Sequence, residues 1–277
     1  MIHNPLTDLE KINKTYNLIE EFISKKLLNE IEGLMNEIID IERMHRKISI
    51  DKLHPYEYLN LHYSYNNIEE IIIKIKDKIR LEDYYFSEES YNEFKKYKKY
   101  YEEKLEINEC GKYNLNNIYG SFFRKGVFKE IDEIQDKIDN INKNFDNEKK
   151  KLSNMIEKNS DFVKIENNER DGYFLYSTSK RCKVLMNEIK KDKNLENKYE
   201  LKKYTSSNEK IISEELSKMS QLLVKNKEKI KIITKEKYLE FLNETYKIYN
   251  YLFDEISKFI VNLDYIKCGS KCALENN

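Results

Sequence analysis

Two long stretches of the chain repeat apolar residues at alternating spacings of three and four. The first stretch carries the pattern, with one polar interruption at Glu148, at Ile131, Ile134, Ile138, Ile141, Phe145, Leu152 and Met155. The second carries it at Tyr238, Leu242, Thr245, Tyr249, Leu252, Ile256, Phe259, Leu263 and Ile266. A stripe with this period packs against another helix along its length. The pattern predicts two long helices, over residues 127–158 and 211–277, and we expect them to pair antiparallel because long helices gain most of their stability from packing.

Residues 159–210, between these helices, favour strands instead. Phe162, Val163 and Ile165 form one strand-like run and residues 173–176 (YFLY) form another, with a polar turn at residues 167–172 between them. Gly172 is expected to serve that turn. Residues 184–204 fit neither a helix nor a strand clearly. We therefore predict a small β-containing cap between the two long helices.

The first 126 residues have the pattern of a compact helical bundle. Thr7 and Glu10 fit a capping box at the start of a helix, and Pro55 fits the first turn of another. Three glycines and four asparagines in residues 108–126 predict a loop with turns. The predicted fold class is mainly α with a small β element, in four parts: residues 1–126, 127–158, 159–210 and 211–277.

The charge distribution is more informative than the net charge, which is zero because 50 basic residues balance 50 acidic ones. Residues 177–210 hold ten Lys or Arg and five Asp or Glu, so the remainder of the chain holds 40 and 45. A local surplus of cations is what binding to phosphates requires. The alternative is a solvated surface, which is the usual role of a lysine run in a chain with 36% charged residues.

Other sequence features argue against several classes of protein. Four cysteines in 277 residues do not suggest a disulfide framework and indicate a reducing, intracellular compartment. Cys268 and Cys272 lie four apart without a second Cys/His pair nearby, so packing at a helix end is favoured over a metal site. No apolar run reaches about 18 residues, and the first residues do not resemble a secretory signal, so we expect no membrane partner. No G-x-x-x-x-G-K-[ST] phosphate loop occurs, so the chain is not expected to be an enzyme on its own.

Several short segments match, in order, one family of DNA-repair proteins. They are residues 4–13 (NPLTDLEKIN), 39–43 (IDIER), 123–132 (FRKGVFKEID), 171–175 (DGYFL), 204–210 (YTSSNEK) and 263–277. Their order and spacing resemble the core, lever and clamp region of MutS-type DNA mismatch repair proteins. Two departures are Asn4, where the family usually has His, and Ser207, where it often has Lys. The clamp segment that precedes Glu215 is also one residue shorter than in the family.

The resemblance implies an elongated architecture in which a helical core carries a two-helix lever arm with a small clamp, residues 159–210, at its tip. The clamp would grip duplex DNA from the backbone side without reading sequence. Carried over from the second clamp motif, the contact candidates are Tyr204, Thr205 and Asn208, with Lys202 and Lys203 beside them. Ser177, Thr178, Ser179, Lys180 and Arg181, in the strand region, would add hydroxyls and cations. Asn208 fits a helix N-cap equally well.

The resemblance also implies which domains of the family these residues do not contain. The family's mismatch-reading and ATPase domains have no counterpart in these residues, so ATP and magnesium would belong to another part. We expect a fragment, one half of a split gene or a degenerate relative. Expected partners are duplex DNA and a second MutS-like subunit or a separately encoded ATPase part, wherever the DNA is: cytoplasm and nucleoid, nucleus or viral factory. Two alternatives remain open: a helical scaffold or tether that organises protein partners without binding DNA, and a DNA-processing protein whose catalytic domain lies outside this chain.

Overall fold

The structure, a computed structural model, describes residues 7–191, 195 and 198–276. The helices are α1 (Leu9–Ser24), α2 (Leu28–Asn36), α3 (Ile41–Ser49), α4 (Pro55–Ile75), α5 (Glu88–Lys104), α6 (Ile107–Cys110), α7 (Lys129–Ile156), α8 (Ser179–Lys191) and α9 (Glu214–Asn276), with a 3-10 helix at Leu81–Tyr84. The strands are β1 (Lys164–Asn168), β2 (Gly172–Thr178), β3 (Glu200–Lys203) and β4 (Asn208–Ile212). The predicted fold class, mainly α with a small β element, is confirmed. Residues 4–6 of the opening motif and Asn277 of the last one lie outside the described residues.

The helix starts follow local capping chemistry. The carboxylate of Asp8, rather than the hydroxyl of Thr7, caps α1 by accepting from the backbone N–H groups of Glu10 and Lys11. The predicted cap was therefore one residue early. Pro55 is the first residue of α4, as predicted, because its missing N–H costs nothing there.

The chain divides into two compact units, and α9 contributes to both. The first unit contains Met1–Ile118, Phe122–Arg124 and Lys235–Asn277. Its core is rich in aromatic rings that join α9 to the earlier helices: Phe253 lies 5.3 Å from Tyr97 between ring centroids, and Phe259 lies 4.8 Å from Phe86.

The second apolar stripe predicted from the sequence is buried at eight of its nine positions: Tyr238, Leu242, Thr245, Leu252, Ile256, Phe259, Leu263 and Ile266. This stripe is explained by packing within the first unit, because its large rings complete the tyrosine-rich core. Antiparallel pairing of the two long helices, and the four-part division of the chain, stay predictions.

The second unit contains Tyr119–Ser121 and Lys125–Thr234. α7 buries most of the first apolar stripe, at Ile131, Ile134, Ile138, Phe145 and Leu152. Glu148 interrupts the stripe for a specific reason: its carboxylate accepts a hydrogen bond from the hydroxyl of Tyr199, a side chain only 2% exposed.

The four strands form one antiparallel sheet in the order β1-β2-β4-β3. Residues directly opposite each other share a face. One face carries Leu175 and Ile211, both buried, and α8 packs against β2 and β4 with the sulfur of Cys182 3.7 Å from the carbonyl oxygen of Ser177. We call this the helix-covered face. The other face, which we call the open face, carries Lys164, Tyr176, Lys210 and Lys202. Of these, Lys164 and Lys202 are exposed, Tyr176 is half-buried and Lys210 is buried.

Candidate nucleic-acid interface

A four-residue turn, Tyr204 to Ser207, joins β3 to β4. The backbone N–H groups of Tyr204 and Thr205 donate to the carbonyl oxygen of Asn208 at 3.0 and 3.1 Å. The hydroxyl oxygen of Thr205 accepts from the N–H of Asn208 at 3.1 Å and from that of Ser207 at 3.4 Å. Thr205 therefore shapes the turn with its own side chain, as hydroxyl residues do in turns.

Asn208 is the first residue of β4 and not a helix N-cap, which corrects the alternative role considered for it. The hydroxyl of Ser213 accepts from the N–H of Leu216 at 3.1 Å and so caps the start of α9. Asn208 lies directly opposite Thr178, the last residue of β2.

The two predicted contact segments meet at this turn. Besides the pairing of Thr178 with Asn208, the N–H of Ser179 donates to the carbonyl oxygen of Ser207 at 2.9 Å. The side chains of Lys180 and Thr205 are exposed. We call this group the turn end; its members are Thr178, Ser179, Lys180 and residues 204–208.

Ser177 and Arg181 do not share that exposure. Strand alternation places Ser177 on the helix-covered face, where it is 2% exposed and its hydroxyl donates to the carbonyl oxygen of Phe162 at 2.7 Å. We therefore withdraw Ser177 as a contact candidate. The guanidinium of Arg181 lies 3.7 Å from the centre of the Phe162 ring and is half-buried. Ser179, Lys180 and Arg181 belong to α8, not to a strand as the sequence suggested.

Lys202 and Lys203 are exposed on β3, an edge strand, and they point to opposite faces because successive strand residues alternate. Lys203 lies opposite Glu209, whereas Lys202 lies opposite Lys210 on the open face. The two adjacent lysines therefore cannot act as one cluster.

A row of lysines crosses the open face. Two of them, Lys164 and Lys210, were not predicted as contact residues. Lys164 lies opposite Tyr176, Tyr176 opposite Lys210, and Lys210 opposite Lys202. We call these four residues the lysine row. Strands lie about 4.8 Å apart, so the row spans roughly 14 Å. Only the strand register reveals it, because its members are up to 46 positions apart in the sequence.

Aromatic rings surround the middle of this row. The Lys210 ammonium is 3.9 Å from the centre of the Phe174 ring and 4.8 Å from that of Tyr204, and it forms an ion pair with Asp171. The hydrogen bond from Lys210 lowers the pKa of the Asp171 carboxyl. The ring centroid of Tyr204 lies 5.8 Å from that of Tyr176 in an edge-on arrangement.

The hydroxyl of Tyr204 is also fixed. It donates to the carboxylate of Glu166 at 2.8 Å, which raises the pKa of the Tyr204 hydroxyl. Tyr204, predicted from the clamp motif, therefore belongs both to the turn end and to the ring cluster on the open face.

Gly172 fixes the position of β2 against α9. Its backbone φ is +65°, and a Cβ atom there would lie 2.7 Å from the Ser220 hydroxyl oxygen and 3.3 Å from a methyl carbon of Val224. The same Ser220 oxygen accepts from the N–H of Tyr173 at 2.9 Å. Only glycine combines that backbone conformation with so close an approach.

The described part of the chain contains no group of three or more His, Cys, Asp or Glu side chains placed to hold a metal ion. Cys268 and Cys272 are exposed, so the expectation that they pack at the end of their helix is wrong. Among the described helices, none is both long and apolar enough to cross a membrane.

No protein-family model matches the chain. The chain does match individual proteins. A mutS homologue of Acanthamoeba polyphaga mimivirus is 25% identical over 295 residues, covering 98% of this chain and 26% of that protein. The DNA mismatch repair proteins MutS of Clostridium tetani and Clostridioides difficile are 26% and 25% identical, each over 100% of this chain and over 30% and 28% of their own lengths. The chain thus spans less than a third of the curated relatives it matches. The resemblance predicted from the motifs is confirmed: over nearly its whole length, this chain is similar to MutS-type DNA mismatch repair proteins.

Proposed function

We propose that this chain binds the backbone of duplex DNA without sequence preference, as the core, lever and clamp part of a MutS-like mismatch repair protein. The observation that carries the proposal is the meeting of the two predicted segments at the turn end, through the 2.9 Å bond between Ser179 and Ser207. Segments about 25 residues apart in sequence thereby present their polar groups together.

The chemistry of the turn end suits phosphate oxygens. Hydroxyl groups of Thr178, Ser179 and Thr205 donate neutral hydrogen bonds, and the amide of Asn208 adds another. Lys180 supplies an exposed cation from the first turn of α8, beside the positive end of the helix dipole. Arg181 follows it in the same turn, with its half-buried guanidinium against the Phe162 ring. Such contacts give affinity and register without sequence information. That is what a repair protein needs, because the sequence around a mismatch is arbitrary.

The lysine row extends this surface over the open face, whereas Lys203 points to the opposite face of the same edge strand. The charge of Lys210 is already balanced by its ion pair with Asp171. The exposed Lys164 and Lys202 are the cations of the row that an anionic partner can reach. The relatives are named as DNA mismatch repair proteins, and we extend that role to this chain as part of the proposal.

The proposal gives this chain no catalytic step. ATP and magnesium are assigned to an ATPase part outside the matched region, and a second MutS-like subunit is the proposed protein partner. The rival function is a scaffold or tether that organises protein partners and does not bind DNA.

The test is duplex binding against salt concentration. Fluorescence anisotropy with a labelled duplex should show log affinity falling linearly with log salt. Replacing Lys202 and Lys203 together with alanine should lower the magnitude of that slope by about 1 for each of the two lysines that contacts a phosphate. The matched control replaces Lys96 and Lys99, two exposed lysines of α5 in the first unit, and should leave the slope unchanged. A protein that ignores duplex at low salt, or a control with the same effect as the test pair, would refute the proposal and favour the scaffold.

A further inference from the structure

Part of the positive charge of the lysine row is not balanced by ion pairs within the described part of the chain. Among the described residues, neither Lys164 nor Lys202 has an ion-pair partner within 4.0 Å, and both are exposed. Lys210, between them, is paired with Asp171. Two unpaired cations therefore lie at the ends of a row about 14 Å long, with an aromatic ring inside it.

That ring, Tyr176, is half-buried and held from two sides. Its centroid lies 5.8 Å from that of Tyr204 and 6.5 Å from that of Phe174. Tyr204 is itself anchored by its hydrogen bond to Glu166. The open face thus offers a fixed aromatic ring on β2, with Lys164 directly opposite it on β1 and Lys210 directly opposite it on β4.

We propose that the open face binds single-stranded DNA, with an unpaired base stacked on Tyr176 and neighbouring phosphates on Lys164 and Lys202. This inference rests on the proposed DNA-binding function and extends it from the turn end to a second surface and a second form of DNA. Bases in a duplex are already stacked and cannot reach a ring on a sheet, whereas an unpaired strand brings base and phosphate to the protein together. Base stacking on rings beside a positively charged surface is how proteins bind single strands without sequence preference.

An acidic peptide is a weaker fit to the same surface. Its carboxylates would use the lysines but would leave the rings without a role. The position of Tyr176 within the row, directly opposite both Lys164 and Lys210, is the observation that favours an unpaired base.

The experiment compares labelled oligothymidylate with a duplex of the same length, using the full chain, over a salt series. Tyr176→Leu should weaken oligothymidylate binding by about tenfold without changing its salt slope, because stacking releases no counterions. Tyr176→Phe, which keeps the ring, should bind like the unchanged protein. Lys164→Gln should lower the magnitude of the slope for oligothymidylate by about 0.7, the value for one phosphate contact on a single strand. Circular dichroism checks that each variant is folded.

The two proposals fail in different ways. Loss of duplex binding alone refutes the function proposed above. Oligothymidylate binding that is equal in Tyr176→Leu and Tyr176→Phe refutes the stacking proposal, whatever the duplex result. Competition by polyglutamate that matches competition by unlabelled oligothymidylate at equal charge also refutes it, since that outcome identifies a surface for acidic protein segments.

Discussion

The backbone N–H of Ser179 lies 2.9 Å from the carbonyl oxygen of Ser207 and donates to it. This bond ties the first residue of α8 to the turn between β3 and β4. The polar groups of both segments are consequently held in one arrangement by the backbone, and not by long flexible side chains. A surface positioned in this way loses little conformational freedom when it binds.

Thr205 should control DNA binding through the shape of this turn. Thr205→Val keeps the branched side chain but removes the oxygen that accepts from Ser207 and Asn208. Because the turn is exposed, we expect the free energy of unfolding to fall by less than about 1 kcal/mol. Duplex affinity should fall more than stability does, whereas Thr205→Ser, which keeps the oxygen, should behave like the unchanged protein. Anisotropy and urea unfolding measure the two effects, and equal duplex affinity of the two variants would contradict the assigned role.

Gly172→Ala should destabilise the protein by about 1–3 kcal/mol. The alanine would have to adopt a φ of +65° and would place its Cβ 2.7 Å from the Ser220 oxygen. The matched control is Gly33→Ala, in the exposed part of α2, where a Cβ meets nothing within 4 Å. The control should stabilise the protein by about 0.5–1 kcal/mol. Urea unfolding compares the two; a Gly172→Ala protein as stable as the unchanged one would show that β2 does not approach α9 as closely as described.

Removing the Tyr199 hydroxyl should cost stability, because it leaves the Glu148 carboxylate without its donor. Tyr199→Phe is expected to lower the free energy of unfolding by about 1–3 kcal/mol, the range for hydrogen bonds to charged groups. Tyr204→Phe is a useful comparison, since its hydroxyl also donates to a carboxylate, Glu166, but at a more exposed site. The Tyr204 variant should lose less. A larger loss at Tyr204 than at Tyr199 would be inconsistent with the burial of each site.

His45 should make stability fall as the pH drops below neutral. Burial lowers its pKa in the folded state to about 3, while the unfolded chain has the ordinary value near 6.5. Below pH 6.5 the unfolded chain takes up a proton that the folded protein does not, so the stabilisation present above pH 6.5 is lost as the pH falls towards 3.

The test for His45 compares two pH values. Between pH 7 and pH 5, the free energy of unfolding of the unchanged protein should drop by about 1–2 kcal/mol more than that of His45→Gln. Urea unfolding at both pH values gives this difference, and the comparison removes contributions from other groups. Parallel pH dependence in the two proteins would mean that the imidazole, which bonds to Tyr65 at 2.8 Å and to Ser257 at 3.2 Å, is not buried neutral.

The elements with a repeating pattern were predicted closely. α7 was expected at residues 127–158 and spans Lys129–Ile156, and α9 was expected at residues 211–277 and spans Glu214–Asn276. A long helix with one buried side gives a repeating pattern in the sequence, because each of its buried positions must be apolar. The short α8 was not predicted, although its buried residues Cys182, Leu185 and Ile189 are spaced three and four apart. Three such positions are too few to distinguish a helix from a lysine-rich loop, and the helix follows a strand directly.

The helical class, the existence of a small β element and the family motifs could be read from the sequence, since each depends on residues close together in the chain. Which polar residues share a surface depends on how distant segments pack. The tertiary structure buried Ser177, separated Lys202 from Lys203, joined Ser179 to Ser207 and aligned Lys164, Tyr176, Lys210 and Lys202. The physical reason is strand register: a shift of one residue moves every side chain to the opposite face, and hydrogen bonds between distant segments set that register.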